Sequence, residues 1–176
     1  MNVRLVAGAR PSLLSAGAIA VTMLVCTARA QAQDPAPPAR KIGGHVGVAT
    51  PLLTISKETT TIADNFTLLD PIGIGFSIAP HWNLDFETVV ATPLHPTGTT
   101  GLVVDPGVVY DWGALATGLR IAFQINAPAN VGLIPLVNKG LVPIGDATWF
   151  VEAAFPTFYS EHQLTFNAVL HTGVGF

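Results

Sequence analysis

From residue 42 to the C-terminus, apolar side chains recur at every second position in segments of roughly ten residues, and no helical apolar period is sustained. A period of two places alternate side chains on opposite faces of a strand. The last segment is the most regular. Leu164, Phe166, Ala168, Leu170, Thr172, Val174 and Phe176 share one face, with Thr165, Asn167, Val169, His171, Gly173 and Gly175 on the other. Trp82, Leu84, Phe86, Thr88 and Val90 alternate with Asn83, Asp85, Glu87, Val89 and Ala91. Leu115, Thr117, Leu119, Ile121, Phe123 and Ile125 alternate with Ala116, Gly118, Arg120, Ala122, Gln124 and Asn126. In both of these segments every charge sits on the face that is not oily.

Weaker segments complete the set. Residues 42–48 carry Gly43, His45 and Gly47 on the polar face, and Ile72, Ile74, Phe76 and Ile78 oppose Gly73, Gly75 and Ser77. Residues 102–112 set Val104, Val108, Tyr110 and Trp112 against Asp105, Gly107 and Asp111, and residues 147–158 set Trp149, Val151 and Phe155 against Glu152. Residues 133–142 alternate least clearly, because Pro135 lacks a ladder donor. The count is eight, the smallest common size of a bacterial membrane barrel. Short links around 79–81, 113–114 and 144–146 take turns with generally longer ones at 51–69, 92–101, 127–132 and 159–163. The expected fold is all-β, an eight-stranded antiparallel up-and-down transmembrane β-barrel over residues 41–176, with its short turns on the periplasmic side. A soluble sandwich or lipocalin-like barrel would alternate as well.

Composition sharpens this picture. Apolar residues make up 49% of the 176 positions and charged residues 11%, so something other than water is expected to face much of the surface. Residues 1–30 read as a secretory signal peptide: Arg4 and Arg10 precede an apolar core at 13–25, and Ala28-Arg29-Ala30 or Ala30-Gln31-Ala32 supplies the cleavage site. Residues 31–40 are rich in Pro and Ala and read as a flexible periplasmic tether. Cleavage removes Cys26, the single cysteine, which excludes disulfides and thiolate zinc from the mature chain. It also removes three of the eight basic residues, leaving five against eleven acidic ones, a net charge of −6 that excludes a nucleic-acid partner.

Counted from the periplasmic strand ends, His45, Asp85, Arg120, Glu152 and His171 fall at similar heights and predict a polar belt inside the barrel. Buried charges need partners, so the belt is either a structural salt-bridge network or a constriction that tunes passage. His45 and His171 lack a third ligand at fixed spacing, so no metal and no cofactor is expected. Ser160-Glu161-His162 holds the residue types of a hydrolase triad, but adjacent residues diverge and no Gly-x-Ser-x-Gly elbow is present, so no enzyme is expected. Trp82, Tyr110, Trp112 and Trp149 fall where a periplasmic aromatic girdle is expected, and Phe66 and Phe158 would mark the outer rim if they face lipid. Lys57, Glu58 and the Thr59-Thr60-Thr61 run, like residues 93–100, read as solvated outer connections.

The ending Val169-Leu170-His171-Thr172-Gly173-Val174-Gly175-Phe176 resembles the C-terminal signature of outer-membrane proteins, an alternating last strand closed by an aromatic residue. That resemblance implies location in the bacterial outer membrane, contact with its lipid, and recognition of Leu170, Val174 and Phe176 by the barrel-assembly machinery. Residues 81–95, which contain Glu87-Thr88-Val89-Val90-Ala91-Thr92-Pro93, resemble the Glu-x-x-x-Ala-Thr-Pro segment of the OmpW family. The implied fold is an eight-stranded barrel, and the implied activity is a narrow channel for small hydrophobic solutes. The alternative is a non-conducting structural or surface-interaction barrel acting through its outer loops.

Overall fold

The computed structural model of the chain describes residues 42–63, 66–125, 130–160 and 162–176. The signal peptide and tether expected at 1–30 and 31–40 lie outside them. Among the described residues every regular element is a strand: β1 (Ile42–Ile55), β2 (Thr60–Ile62), β3 (Phe66–Ala79), β4 (Trp82–His95), β5 (Gly101–Asp111), β6 (Ala116–Gln124), β7 (Asn130–Ile144), β8 (Ala147–Ala154), β9 (Thr157–Ser160) and β10 (Gln163–Gly175). All pairings are antiparallel, and the sheet runs in an up-and-down order. β1 also pairs with β10, from His45 opposite Gly175 to Ile55 opposite Phe166, so the sheet closes on itself and its central strands leave no open edge.

The sheet has ten strands where the alternation predicts eight. The two additional ones are short and local. β2 folds back on the end of β1, with Thr60 opposite Ile55 and Ile62 opposite Leu53. Its β-branched residues favour an extended ladder over the solvated connection expected there. β9 is the continuation of β8 past Phe155-Pro156, and it pairs with the same two neighbours, β7 and β10, in unchanged register. Pro156 has no N–H to give the ladder. The backbone around it is still satisfied, because Phe155 N–H donates to the Pro135 carbonyl at 2.9 Å and Asn167 N–H to the Pro156 carbonyl at 2.8 Å. The closed circuit therefore has eight staves.

Several strands run further than their apolar alternation. β1 continues to Ile55, β3 starts at Phe66, and β4 reaches His95. Backbone groups need partners whether or not the adjoining side chains are apolar, so pairing continues past the oily stretch and shortens the links expected at 51–69 and 92–101. At the opposite end the links are tight turns. Gly113 (φ 87°) and Gly145 (φ 61°) supply the left-handed backbone that two of them require.

Alternation also decides what lies inside. The interior packs Ala122, Leu136, Ile134, Ala154, Val169 and Ala49, with Leu69, Val103 and Phe158 against them. Six polar or charged side chains are buried there too: Asp85, Glu87, Asp105, Arg120, Glu152 and His171. The outer face carries the large apolar side chains, with Ile72 59%, Ile121 46%, Leu119 45% and Phe86 48% exposed.

Candidate functional site

Inward carboxylates from β4 and β8 meet on Arg120, which is 3% exposed at the centre of β6. Its Nε and Nη2 both donate to Asp85 Oδ2 at 2.7 Å. Nη1 reaches Glu152 Oε1 at 3.1 Å and Glu87 Oε1 at 3.3 Å. Two histidines extend the network: His45 Nε2 lies 2.6 Å from Glu87 Oε2, and His171 Nδ1 lies 3.4 Å from Glu152 Oε1. Asn138 Nδ2 donates to Glu152 Oε2 at 3.1 Å. One planar guanidinium thus serves three carboxylates, a task that its five fixed donors suit better than an ammonium would.

All five belt positions read from the sequence, His45, Asp85, Arg120, Glu152 and His171, lie in this cluster. Glu87, Asn138 and Asp105 join them. Glu87 was legible as the next inward residue after Asp85. Asp105 was not, since its height depends on strand stagger, and the register sets it opposite Glu87. The two histidine rings are 6.0 Å apart, and among the described residues no group of three metal-ligating side chains is assembled.

Glycines make room for the network. Gly107 sits opposite Arg120, and a Cβ there would meet Arg120 Cγ at 2.6 Å and the Leu119 carbonyl oxygen at 2.5 Å. Gly73 sits opposite His45, whose imidazole occupies the space a Cβ would take. Large inward side chains on one strand are therefore set against glycines on the next, which is how an eight-stave interior holds this many bulky groups.

The network divides the interior. Towards the short-turn end lies a cavity of about 520 Å³ lined by Ser77, Asn83, Asp111 and Asn138. Towards the loop end lies one of about 290 Å³ with mostly apolar walls. Arg120 and Glu152 line both, so they form a septum between two chambers.

The outer face is organised differently. Trp82, Trp112 and Trp149 are exposed at the short-turn end, where Tyr110 packs between Trp82 and Trp112 with ring centroids 4.9 and 4.5 Å away. The indoles of Trp112 and Trp149 donate to Thr117 and Thr172 at 2.9 and 2.8 Å. At the loop end Phe66 faces outward, but Phe158 does not: it lines the inner chamber opposite Gly132, and Tyr159 is the exposed aromatic instead. Because β9 keeps the register of β8, the parity that turns Glu152 inward turns Phe158 inward as well. Leu170 and Phe176 are exposed on the same outer face, and Val174 shares it. Gly44 and Phe176 exchange two backbone hydrogen bonds of 2.8 and 2.9 Å that seal the closure. At 159–163, the His162 imidazole pairs with Tyr159 Oη at 3.2 Å, and Glu161 lies outside the described residues.

Fold and interior together define a closed antiparallel β-barrel with a buried ion-pair septum. No family model matches the chain, so the likeness to OmpW rests on residues 81–95 themselves, and no curated protein matches it. Among solved structures it is similar to a chain described as "De novo design of transmembrane beta-barrels", at 13% identity and a TM-score of 0.44, covering 83% of this chain and 98% of that one.

Proposed function

We propose that this is an integral protein of the bacterial outer membrane whose interior is closed by the Arg120 septum, and that it acts through its loop end as a non-conducting surface barrel. The observation that carries this reading is the inverted solvation of the sheet, with charges inside and large apolar side chains outside. A soluble domain rarely exposes an apolar patch beyond a few hundred Å². Here apolar side chains project from every stave of the circuit. Of the charged residues in the strands, alternation puts only Asp70 and Lys139 on the outer face, Asp70 near the loop end of β3 and Lys139 towards the short-turn end of β7. A lysine there can lay its stem along the apolar belt and keep its ammonium at the interface. β10 has 13 residues, more than the roughly 9–11 that a tilted strand needs to cross a bilayer. The Trp82, Trp112 and Trp149 girdle fits the periplasmic interface, and the short turns fit that side. The outward run of Leu170, Val174 and Phe176 at the end of β10 supports insertion by the barrel-assembly machinery.

The two chambers favour a second reading, a narrow path for small hydrophobic solutes, since they lie end to end and only the septum interrupts them. The OmpW-like segment belongs with it. Planar-bilayer conductance and liposome uptake of small apolar solutes by the purified protein separate the readings. The closed barrel gives no conductance steps and no uptake above protein-free vesicles, whereas saturable uptake would replace it with the channel.

A further inference from the structure

The loop-end chamber has an apolar wall and a charged floor. Leu69, Val89, Val103, Ile134, Phe158 and Val169 form much of the wall. The floor is Asp105, Glu87, Arg120, Glu152 and His171. Asp85, Glu87 and Glu152 each accept a hydrogen bond from Arg120. Asp105 stands apart: it is 1% exposed, lines the chamber, and its Oδ1 has no partner. Buried polar atoms are nearly always satisfied, so an orphan on a cavity floor points to a missing donor.

A second orphan on this floor is His171 Nε2. The other nitrogen of that ring faces Glu152 Oε1, and a carboxylate accepts only, so Nδ1 carries a proton and, in the neutral ring, Nε2 presents a lone pair. The charge balance points the same way. Four carboxylates (Asp85, Glu87, Asp105, Glu152) face one guanidinium and two imidazoles, His45 and His171. With all four carboxyl groups ionised and both imidazoles protonated, three positive charges meet four negative ones. The group the cluster lacks is a cation that donates hydrogen bonds.

We propose that the loop-end chamber binds a small organic ammonium ion, with an N–H on Asp105 Oδ1 and the apolar body against the wall. Apolar walls with a few placed polar groups are the usual construction of small-molecule sites, and about 290 Å³ is at the small end of their range. The site lies on one side of the septum, so it does not depend on whether the barrel conducts.

The test is calorimetric titration of the refolded full-length protein in lipid nanodiscs with hexylammonium, 1-hexanol and hexanoate, for the wild type and Asp105→Asn. Hexylammonium binds saturably and about tenfold more tightly than hexanol, the margin of a charge-assisted over a neutral hydrogen bond, and Asp105→Asn removes that margin while hexanol binding stays. Equal affinity for hexylammonium and hexanol, the result for an Asp105 that keeps its own proton, overturns the proposal. So does an ammonium preference that survives Asp105→Asn, or the absence of saturable binding. Should Asp105→Asn fail to fold, Val103→Trp fills the chamber from its wall, and hexylammonium binding that persists in it overturns the proposal equally.

Discussion

Replacing Arg120 with methionine keeps an unbranched side chain of similar reach and deletes the charge on which the interior is organised. Arg120 is 3% exposed and holds Asp85 at 2.7 Å, Glu152 at 3.1 Å and Glu87 at 3.3 Å. Removing one partner of a buried ion pair costs about 3–5 kcal/mol, because the carboxylates left behind are uncompensated. Against a typical total of about 5–15 kcal/mol, that is a large share of the stability. A second set of substitutions probes the same site. If the penalty comes from stranded charge, neutralising the carboxylates in the Arg120→Met background (Asp85→Asn, Glu87→Gln, Glu152→Gln) recovers most of the loss, and the substitutions are strongly non-additive. Urea unfolding of the refolded protein in vesicles, followed through tryptophan emission, reads both. Arg120→Met within about 1 kcal/mol of wild type, or a neutralised variant no more stable than Arg120→Met alone, would refute the account of the septum.

Three further perturbations separate packing, solvation and assembly. Gly107→Ala places a Cβ 2.6 Å from Arg120 Cγ and is expected to destabilise by about 1–3 kcal/mol in the same unfolding assay, as overpacked interiors do. Ile121→Lys, on the outer face at mid-strand of β6, costs about 2–4 kcal/mol if lipid surrounds it, whereas a water-facing site would move within about 0.5 kcal/mol. Deleting Phe176 removes both backbone hydrogen bonds to Gly44 at the closure, so the fraction of heat-modifiable, folded protein in the outer-membrane pellet falls relative to wild type.

Period-two alternation was enough to read which face each residue occupies, since in a sheet with one oily face the parity of a residue decides its side. Ile72, Ile74 and Phe76 are outside and Gly73 is inside for that reason alone. Parity does not give height. His45, Asp85, Arg120, Glu152 and His171 could be grouped because each lies at a similar distance from the short-turn end of its strand, but Asp105 reaches the same cluster only through the stagger that pairs it with Glu87. Nor does parity mark where pairing stops. The Thr60–Ile62 ladder and the break at Phe155-Pro156 depend on backbone hydrogen bonding, to which side-chain hydropathy is blind. Phe158 shows how the two combine: an aromatic near a strand end suggests a rim, yet unbroken register across Pro156 turns it inward.

If lipid, and not water, covers the outer face, the three native tryptophans report on it without mutation. Trp82, Trp112 and Trp149 are all exposed at the short-turn end. In vesicles of lipids brominated at defined depths along the acyl chain, their emission is predicted to be quenched, most strongly by bromines close to the headgroup. Unquenched emission from protein that stays in the aqueous phase would contradict the account.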